Sequence, residues 1–243
     1  MITPHKNMHI HEVEKFENLA HQWWDESGPY QSLHALNFVR LGYIRNLLLS
    51  YFKLTPSKTP LKNLHILDIG CGGGLMAEPL CRLGASVTAI DPGKENIATA
   101  KAHAHHFGLN IFYSQSTLED FNDHKTYDVL LALEVLEHIP NPQAFLKECL
   151  QKTKPQGLCI VATLNRTWRS YLQGIIAAER LLKWVPQGTH QWSSFLKPSE
   201  LYHHFSNAGF SDVKFQGISF SILKNEWVLS DTLEVNYMAY GIQ

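Results

Sequence analysis

A chain of 243 residues, 44% hydrophobic and with a formal net charge of -1, holds enough apolar mass for one α/β domain with additions. The near-neutral balance argues against nucleic-acid binding, which calls for a basic excess, and no run of about 18 apolar residues is present to span a bilayer. Cys71, Cys81, Cys149 and Cys159 form no CxxC pair, which speaks against a zinc knuckle or a redox motif, and the polar first fifteen residues lack the apolar stretch of a secretory signal, so a cytoplasmic protein with reduced thiols is expected. From the N-terminus, Val13–Trp24 reads as an amphipathic helix with Phe16, Leu19, Ala20, Trp23 and Trp24 on one side. A second helix is predicted over Leu36–Phe52, and the Pro-rich Lys53–Lys62 reads as a connection. Strand and helix then alternate. Strands are predicted at Leu64–Ile69, Ser86–Ile90, Asn110–Tyr113, Tyr127–Leu133 and Leu158–Leu164. The helices between them are Gly74–Leu83, Lys94–Phe107 and Pro142–Leu150, the last with Asn141 as N-cap and Pro142 at N1. A further helix, Pro198–Ala208, stops at Gly209, and two late strands are expected near Phe210–Ile218 and Val235–Ile242. Such alternation predicts a mostly parallel sheet with helices on both faces, and right-handed crossovers place the ligand-binding loops along one edge.

The first strand and turn read LDIGCGGGL, Leu67–Leu75. Gly70 and Gly72 fit the first two positions of a dinucleotide fingerprint, but the third falls on Leu75. Asp68 stands two residues before Gly70, where a carboxylate would repel a pyrophosphate. S-adenosylmethionine carries no phosphate; its amino group would be attracted by Asp68, and bare glycine backbone lets it approach closely. The second strand closes with Asp91, 21 residues after Gly70, placed to accept hydrogen bonds from ribose hydroxyls. D-x-G-C-G-x-G followed by an acid at the next strand end resembles the class I methyltransferases over roughly Leu64–Leu164. The resemblance implies a Rossmann-like, mostly parallel seven-stranded sheet with an antiparallel last strand, and it places Leu118 near the adenine; a plain core leucine is the competing reading.

The flanks are more specific. Trp23–Ile44 (WWDESGPYQSLHALNFVRLGYI), Leu164–Pro198 and the terminal VNYMAYG resemble the ubiquinone-biosynthesis O-methyltransferase family. The likeness covers nearly the whole chain. It implies methyl transfer from S-adenosylmethionine to ring hydroxyls of polyprenylated, catechol-type intermediates, with Arg40, Gly70, Asp91 and Leu133 at cofactor-contacting positions. Leu133 stands where relatives carry methionine. Arg40 has a physical case of its own, because a guanidinium grips a carboxylate in a fork. A single domain over residues 1–243 is expected: 1–62 as an N-terminal helical cap, 63–164 as the cofactor-binding core, 165–196 as an apolar insertion and 197–243 as a C-terminal helix and strands. Two alternatives stay open, an O-methyltransferase for another small phenolic acceptor and a non-catalytic cofactor-binding member of a biosynthetic assembly.

Glu134, Glu137 and His138 in LEVLEHIP stand at i, i+3 and i+4 and share one face if the turn is helical. Two carboxylates and an imidazole are ligands for a divalent ion such as Mg, which would favour a catecholate and orient it; the family resemblance supports that reading. His138 is alternatively the general base that removes the phenolic proton. His190 in QGTHQW is another candidate near the substrate, with a surface histidine, one of 14, as the competing reading. The insertion carries Trp168, Tyr171, Leu172, Ile175, Ala178, Leu182 and Val185 at helical spacing, beside Arg166, Arg169, Arg180 and Lys183. An apolar stripe with basic flanks suits a helix in a membrane interface, and a lid on the core is the competing reading. Residues 165–188 are therefore the expected membrane contact of a cytoplasmic protein held at the inner membrane face. The polyprenylated phenolic substrate and an assembly of its biosynthetic pathway are the expected partners, and no nucleic acid is expected.

Overall fold

Runs of buried apolar sequence become five adjacent parallel strands: β1 (His65–Ile69), β2 (Ser86–Asp91), β3 (Phe112–Gln115), β4 (Tyr127–Leu133) and β5 (Thr153–Leu164). The computed structural model describes residues 19–170, 192–221 and 223–243. Three more strands follow, β6 (Ser211–Ser221), β7 (Glu226–Ser230) and β8 (Asn236–Ile242), and the sheet order is β3-β2-β1-β4-β5-β8-β6-β7. β8 inserts between β5 and β6 and runs antiparallel to both. The Rossmann-like architecture is as expected from the sequence, with eight strands among the described residues in place of seven. The additional one, β7, pairs only with β6, through Gly217–Ser230 to Ser221–Glu226, and forms the sheet edge.

Successive strand residues point to opposite faces, so the sheet builds two cores. Ile66, Val129, Leu131 and Ile160 pack on one face with Ile44 and Leu48 of α1 (Gln31–Tyr51), Leu80 of α2 (Ala77–Arg82), and Ile97 and Ala100 of α3 (Lys94–His106). Leu67, Leu130, Ala132 and Val161 pack on the other, with Phe145, Leu146 and Cys149 of α4 (Pro142–Lys152) and Leu201 and Phe205 of α5 (Pro198–Ala208). Asn141 caps α4, its Oδ1 accepting from the Ala144 N–H at 3.1 Å, and Pro142 opens the helix. Gly209, at φ +109°, ends α5. The four cysteines are free thiols.

The N-terminal expectation is corrected. Of the helix expected over Val13–Trp24, residues 13–18 lie outside the described residues, and the remainder is a single 3₁₀ turn, Ala20–Gln22. The chain reverses just beyond it: Asp25 Oδ1 accepts from both the N–H and the hydroxyl of Ser27, and the Gly28 N–H donates to the Asp25 carbonyl. Local carboxylate-to-backbone bonds of this kind compete with helix formation. No described helix is long and apolar enough to cross a membrane.

Candidate functional site

The C-terminal ends of β1, β2, β4 and β5 open on the same edge of the sheet, because these strands are parallel and in register. The turn leaving β1 is built on backbone that only glycine adopts freely. Gly70 has φ +70° and Gly72 φ +52°, and a Cβ added to Gly70 would lie 2.6 Å from the Val135 side chain. The Gly70 and Cys71 N–H groups donate to the Ile90 carbonyl at 2.8 and 3.1 Å, tying the turn to the end of β2.

Asp91 organises the space beside that turn. Its Oδ2 accepts from the Gly72 N–H at 2.9 Å, and its Oδ1 accepts from the Gly93 N–H at 2.8 Å and from Asn96 Nδ2 at 3.0 Å. These donors fix the carboxylate beside the turn. Asp68 lies on the neighbouring strand, fully buried, and one of its oxygens, Oδ2, has no hydrogen-bond partner. Burial first, and the Asp91 charge second, push its carboxyl up to about 7. Both acids, Gly70 and Gly72 thus meet where the sequence places them. Leu118 is buried in the same core cluster as Leu67, Ile69 and Ile90, and Leu133, half-buried, packs against the opposite core.

Arg40, in α1, is fully buried, and its Nη2 donates to Glu134 Oε1 in an ion pair. Asn37 Oδ1 accepts from Nη1 at 3.5 Å, while Nε is buried without a partner. The sequence expectation gives Arg40 a ligand carboxylate; the structure gives it Glu134, with further N–H groups remaining in the fork. Glu134 holds φ +57°, costly for a residue with a side chain, and its N–H donates to the Ala162 carbonyl at 2.9 Å.

The expected metal ligands are near neighbours, the Glu134 and His138 charges both acting on Glu137, but they are not arranged as an ion site. Only Leu136–His138 turns, and as a 3₁₀ helix, so Glu134 stays outside it. The Glu134 carboxylate is engaged by Arg40. Glu137 is buried, its Oε2 accepts from the Thr163 hydroxyl at 2.9 Å, and burial, with the nearby Glu134 charge, raises its carboxyl to about 7. Among the described residues no group of three or more His, Cys, Asp or Glu is placed to hold an ion. His138 is half-buried at the same strand edge. His190, and the insertion residues from Tyr171 to Val185, lie outside the described residues.

Sequence reasoning passed over Trp23, Tyr30 and Asn96 as site residues. Trp23 Nε1 donates to Asn96 Oδ1 at 2.8 Å, and the Trp23 ring lies against the glycine loop, where a Cβ on Gly72 would come within 2.6 Å of it. The paired tryptophans of WWD were the available signal; for Asn96 there was none beyond its place five residues after Asp91.

A family model described as a methyltransferase domain matches residues 38–214. The ubiquinone biosynthesis O-methyltransferase of Rickettsia canadensis is 45% identical over 229 residues, 94% of this chain and 94% of its own. That of Pelagibacter ubique is 44% identical over 96% of this chain and 97% of its own, and that of Azorhizobium caulinodans 44% identical over 95% and 92%. Among solved structures, the plantazolicin methyltransferase in complex with SAH superposes with a TM-score of 0.68 at 20% identity, over 96% of this chain and 99% of its own. Magnesium protoporphyrin IX methyltransferase from Synechocystis with bound SAH superposes with a TM-score of 0.60 at 17% identity, over 95% and 87%. At such identities the likeness is one of fold.

Proposed function

The chain belongs to the ubiquinone biosynthesis O-methyltransferases, S-adenosylmethionine-dependent enzymes acting on phenolic substrates, and from that premise we propose that its acceptor is a ring hydroxyl of a polyprenylated, catechol-type intermediate. The observation that carries the site assignment is the Asp91 carboxylate fixed beside the positive-φ glycine turn. In this reading Asp91 accepts the ribose hydroxyls of the cofactor. Asp68 faces its amino group, which supplies the partner that Oδ2 lacks. Arg40, with donors left over from Glu134, serves the carboxylate end. Gly70, Gly72, Leu118 and Leu133 line the remainder.

Methyl transfer is an in-line displacement: the acceptor oxygen attacks the sulfonium methyl carbon as the carbon–sulfur bond breaks. The attacking oxygen must be a phenolate, and a phenol holds its proton up to a pH near 10. His138, at the strand edge, takes that proton as general base. No step is routed through a metal ion, because Glu134, Glu137 and His138 as arranged do not fit one. We further propose that the protein works as a peripheral membrane enzyme at the cytoplasmic face, because a polyprenyl chain resides in the bilayer and the basic, apolar span 165–188 suits its surface.

A labelled-methyl assay with a short-chain catechol tests the reaction. Labelled O-methyl product is expected; cofactor binding without transfer would favour the non-catalytic alternative. Asp91→Ala should weaken S-adenosylmethionine binding by about 1.5–3 kcal/mol in calorimetric titration, the range for hydrogen bonds to a charged group. His138→Asn should lower kcat by about 10²–10⁴-fold, the range for general base catalysis, with cofactor affinity unchanged. Wild-type kcat in that variant would remove His138 from the chemistry.

A further inference from the structure

The segment Trp23–Tyr30 precedes the span matched by the family model, yet it sits on the cofactor loop. Trp23 and Tyr30 stack with ring centroids 4.0 Å apart and planes 5° from parallel. The segment is anchored twice. Trp23 Nε1 donates to Asn96 Oδ1, and Asn96 Nδ2 donates in turn to Asp91 Oδ1. Trp24 Nε1 donates to the Gly73 carbonyl at 3.0 Å, and its ring stacks on His103 at 3.6 Å. The aromatic pair is therefore wired to the acid that organises the site.

Within this arrangement the Tyr30 hydroxyl stands out. Tyr30 is only 5% exposed, and its Oη is buried with no hydrogen-bond partner. Burial, and next the charge of Asp91, push its pKa well up, so the hydroxyl is neutral and within the reach of Asp91's field. An unpaired buried hydroxyl is destabilising unless something pairs with it. A ligand hydroxyl bound against Asp91 would do so. A phenol both donates and accepts, as a ribose hydroxyl does, so the two are complementary in either direction. We propose that the Trp23–Tyr30 stack forms the outer wall of the cofactor site, and that Tyr30 Oη is a further hydrogen-bonding group for the cofactor's ribose edge, beside Asp91. The proposal rests on the reading of Asp91 as the ribose acceptor.

Tyr30→Phe keeps the stack and removes only the hydroxyl. Calorimetric titration of the full chain with S-adenosylhomocysteine should show about 2–10-fold weaker binding, the yield of one neutral hydrogen bond. The same loss is expected with 5′-methylthioadenosine, which keeps the ribose and lacks the amino-acid end. The ligand-free variant should melt no lower than wild type, because it loses an unpaired polar group; this separates lost contact from lost fold. Unchanged affinity for S-adenosylhomocysteine overturns the proposal. A loss confined to S-adenosylhomocysteine overturns the ribose assignment, because the hydroxyl would then meet the amino-acid end. Asp91→Ala is the control: wild-type affinity there sinks the underlying cofactor reading, whereas weakened binding there with unchanged Tyr30→Phe sinks this proposal alone.

Discussion

Asp68 bears on stability through its burial and, in the proposed reading, on the cofactor's amino group. Its carboxyl, raised from the usual 3.8 to about 7 by burial, keeps its proton in the folded chain over a pH range in which the unfolded chain has lost it. The folded state then binds more protons than the unfolded state between about pH 4 and 7, so this residue makes stability fall as pH rises through that window and leaves it level above. Glu137, raised to about 7 as well, acts in the same window with the same sign. Asp68→Asn should therefore flatten the pH dependence without abolishing it. It should stabilise the ligand-free protein by roughly 2–4 kcal/mol at pH 8 and scarcely at pH 4, the span set by a shift of about three units. Chemical denaturation at both pH values measures this, and equal effects at the two would refute it. The same variant should bind S-adenosylmethionine more weakly, because an amide offers no charge to the cofactor's amino group.

At the scale of elements, α1 is fastened to the end of β4 through the buried Arg40–Glu134 pair. Removing one partner of such a pair leaves an uncompensated charge and costs about 3–5 kcal/mol when both are deeply buried. Glu134 retains about a quarter of its side-chain exposure, so Arg40→Leu should cost less, about 1–3 kcal/mol, in urea denaturation. A neutral result would mean that water solvates Glu134 as well as the guanidinium does. Element identity was legible in the sequence where burial is continuous: Tyr127–Leu133 is the strand the apolar run predicts, and Asn141 with Pro142 starts α4 where capping chemistry says. It was not legible at Glu226–Ser230, an edge strand whose half-exposed residues show no buried run. The Leu136–His138 turn shows the same limit for the site. Spacing puts residues 134, 137 and 138 on one face of an α-helix, but the positive φ of Glu134 and the tighter 3₁₀ turn are settled by packing against β5, which spacing does not encode. The acids and glycines at the ends of β1 and β2 were legible because strand ends fix them; Trp23, Tyr30 and Asn96 come near them only through tertiary contact.

For the molecule as a whole, the course of the chain around the insertion bears on how the enzyme meets its substrate. β5 ends at Leu164, on the edge that carries the glycine turn and Asp91. The Leu196 N–H donates to the Leu164 carbonyl at 3.2 Å, and Trp192 Nε1 donates to the Thr167 carbonyl at 3.0 Å, so the chain leaves and returns at one place. Trp168 is 66% exposed and Trp192 41% exposed at those two feet. Exposed tryptophans suit a membrane interface, where an apolar ring and a polar N–H are both accommodated. The basic residues Arg169, Arg180 and Lys183 of the same stretch would each gain about 1 kcal/mol near an anionic surface. The protein should accordingly co-sediment with anionic liposomes, and less at high salt, because screening shortens the attraction. Ile175→Asp together with Leu182→Asp should abolish co-sedimentation, since burying a charge in the interface opposes insertion of the apolar stripe. Turnover of a short, water-soluble catechol should survive in that double variant, because the reacting groups stand on the sheet edge, while turnover of a long-prenyl substrate in vesicles should collapse. Normal liposome binding would place the membrane contact elsewhere. Loss of both activities with a much lower melting temperature would instead make the stretch a lid packed on the core, and the surface contact would have to be sought among other exposed apolar residues such as Phe38.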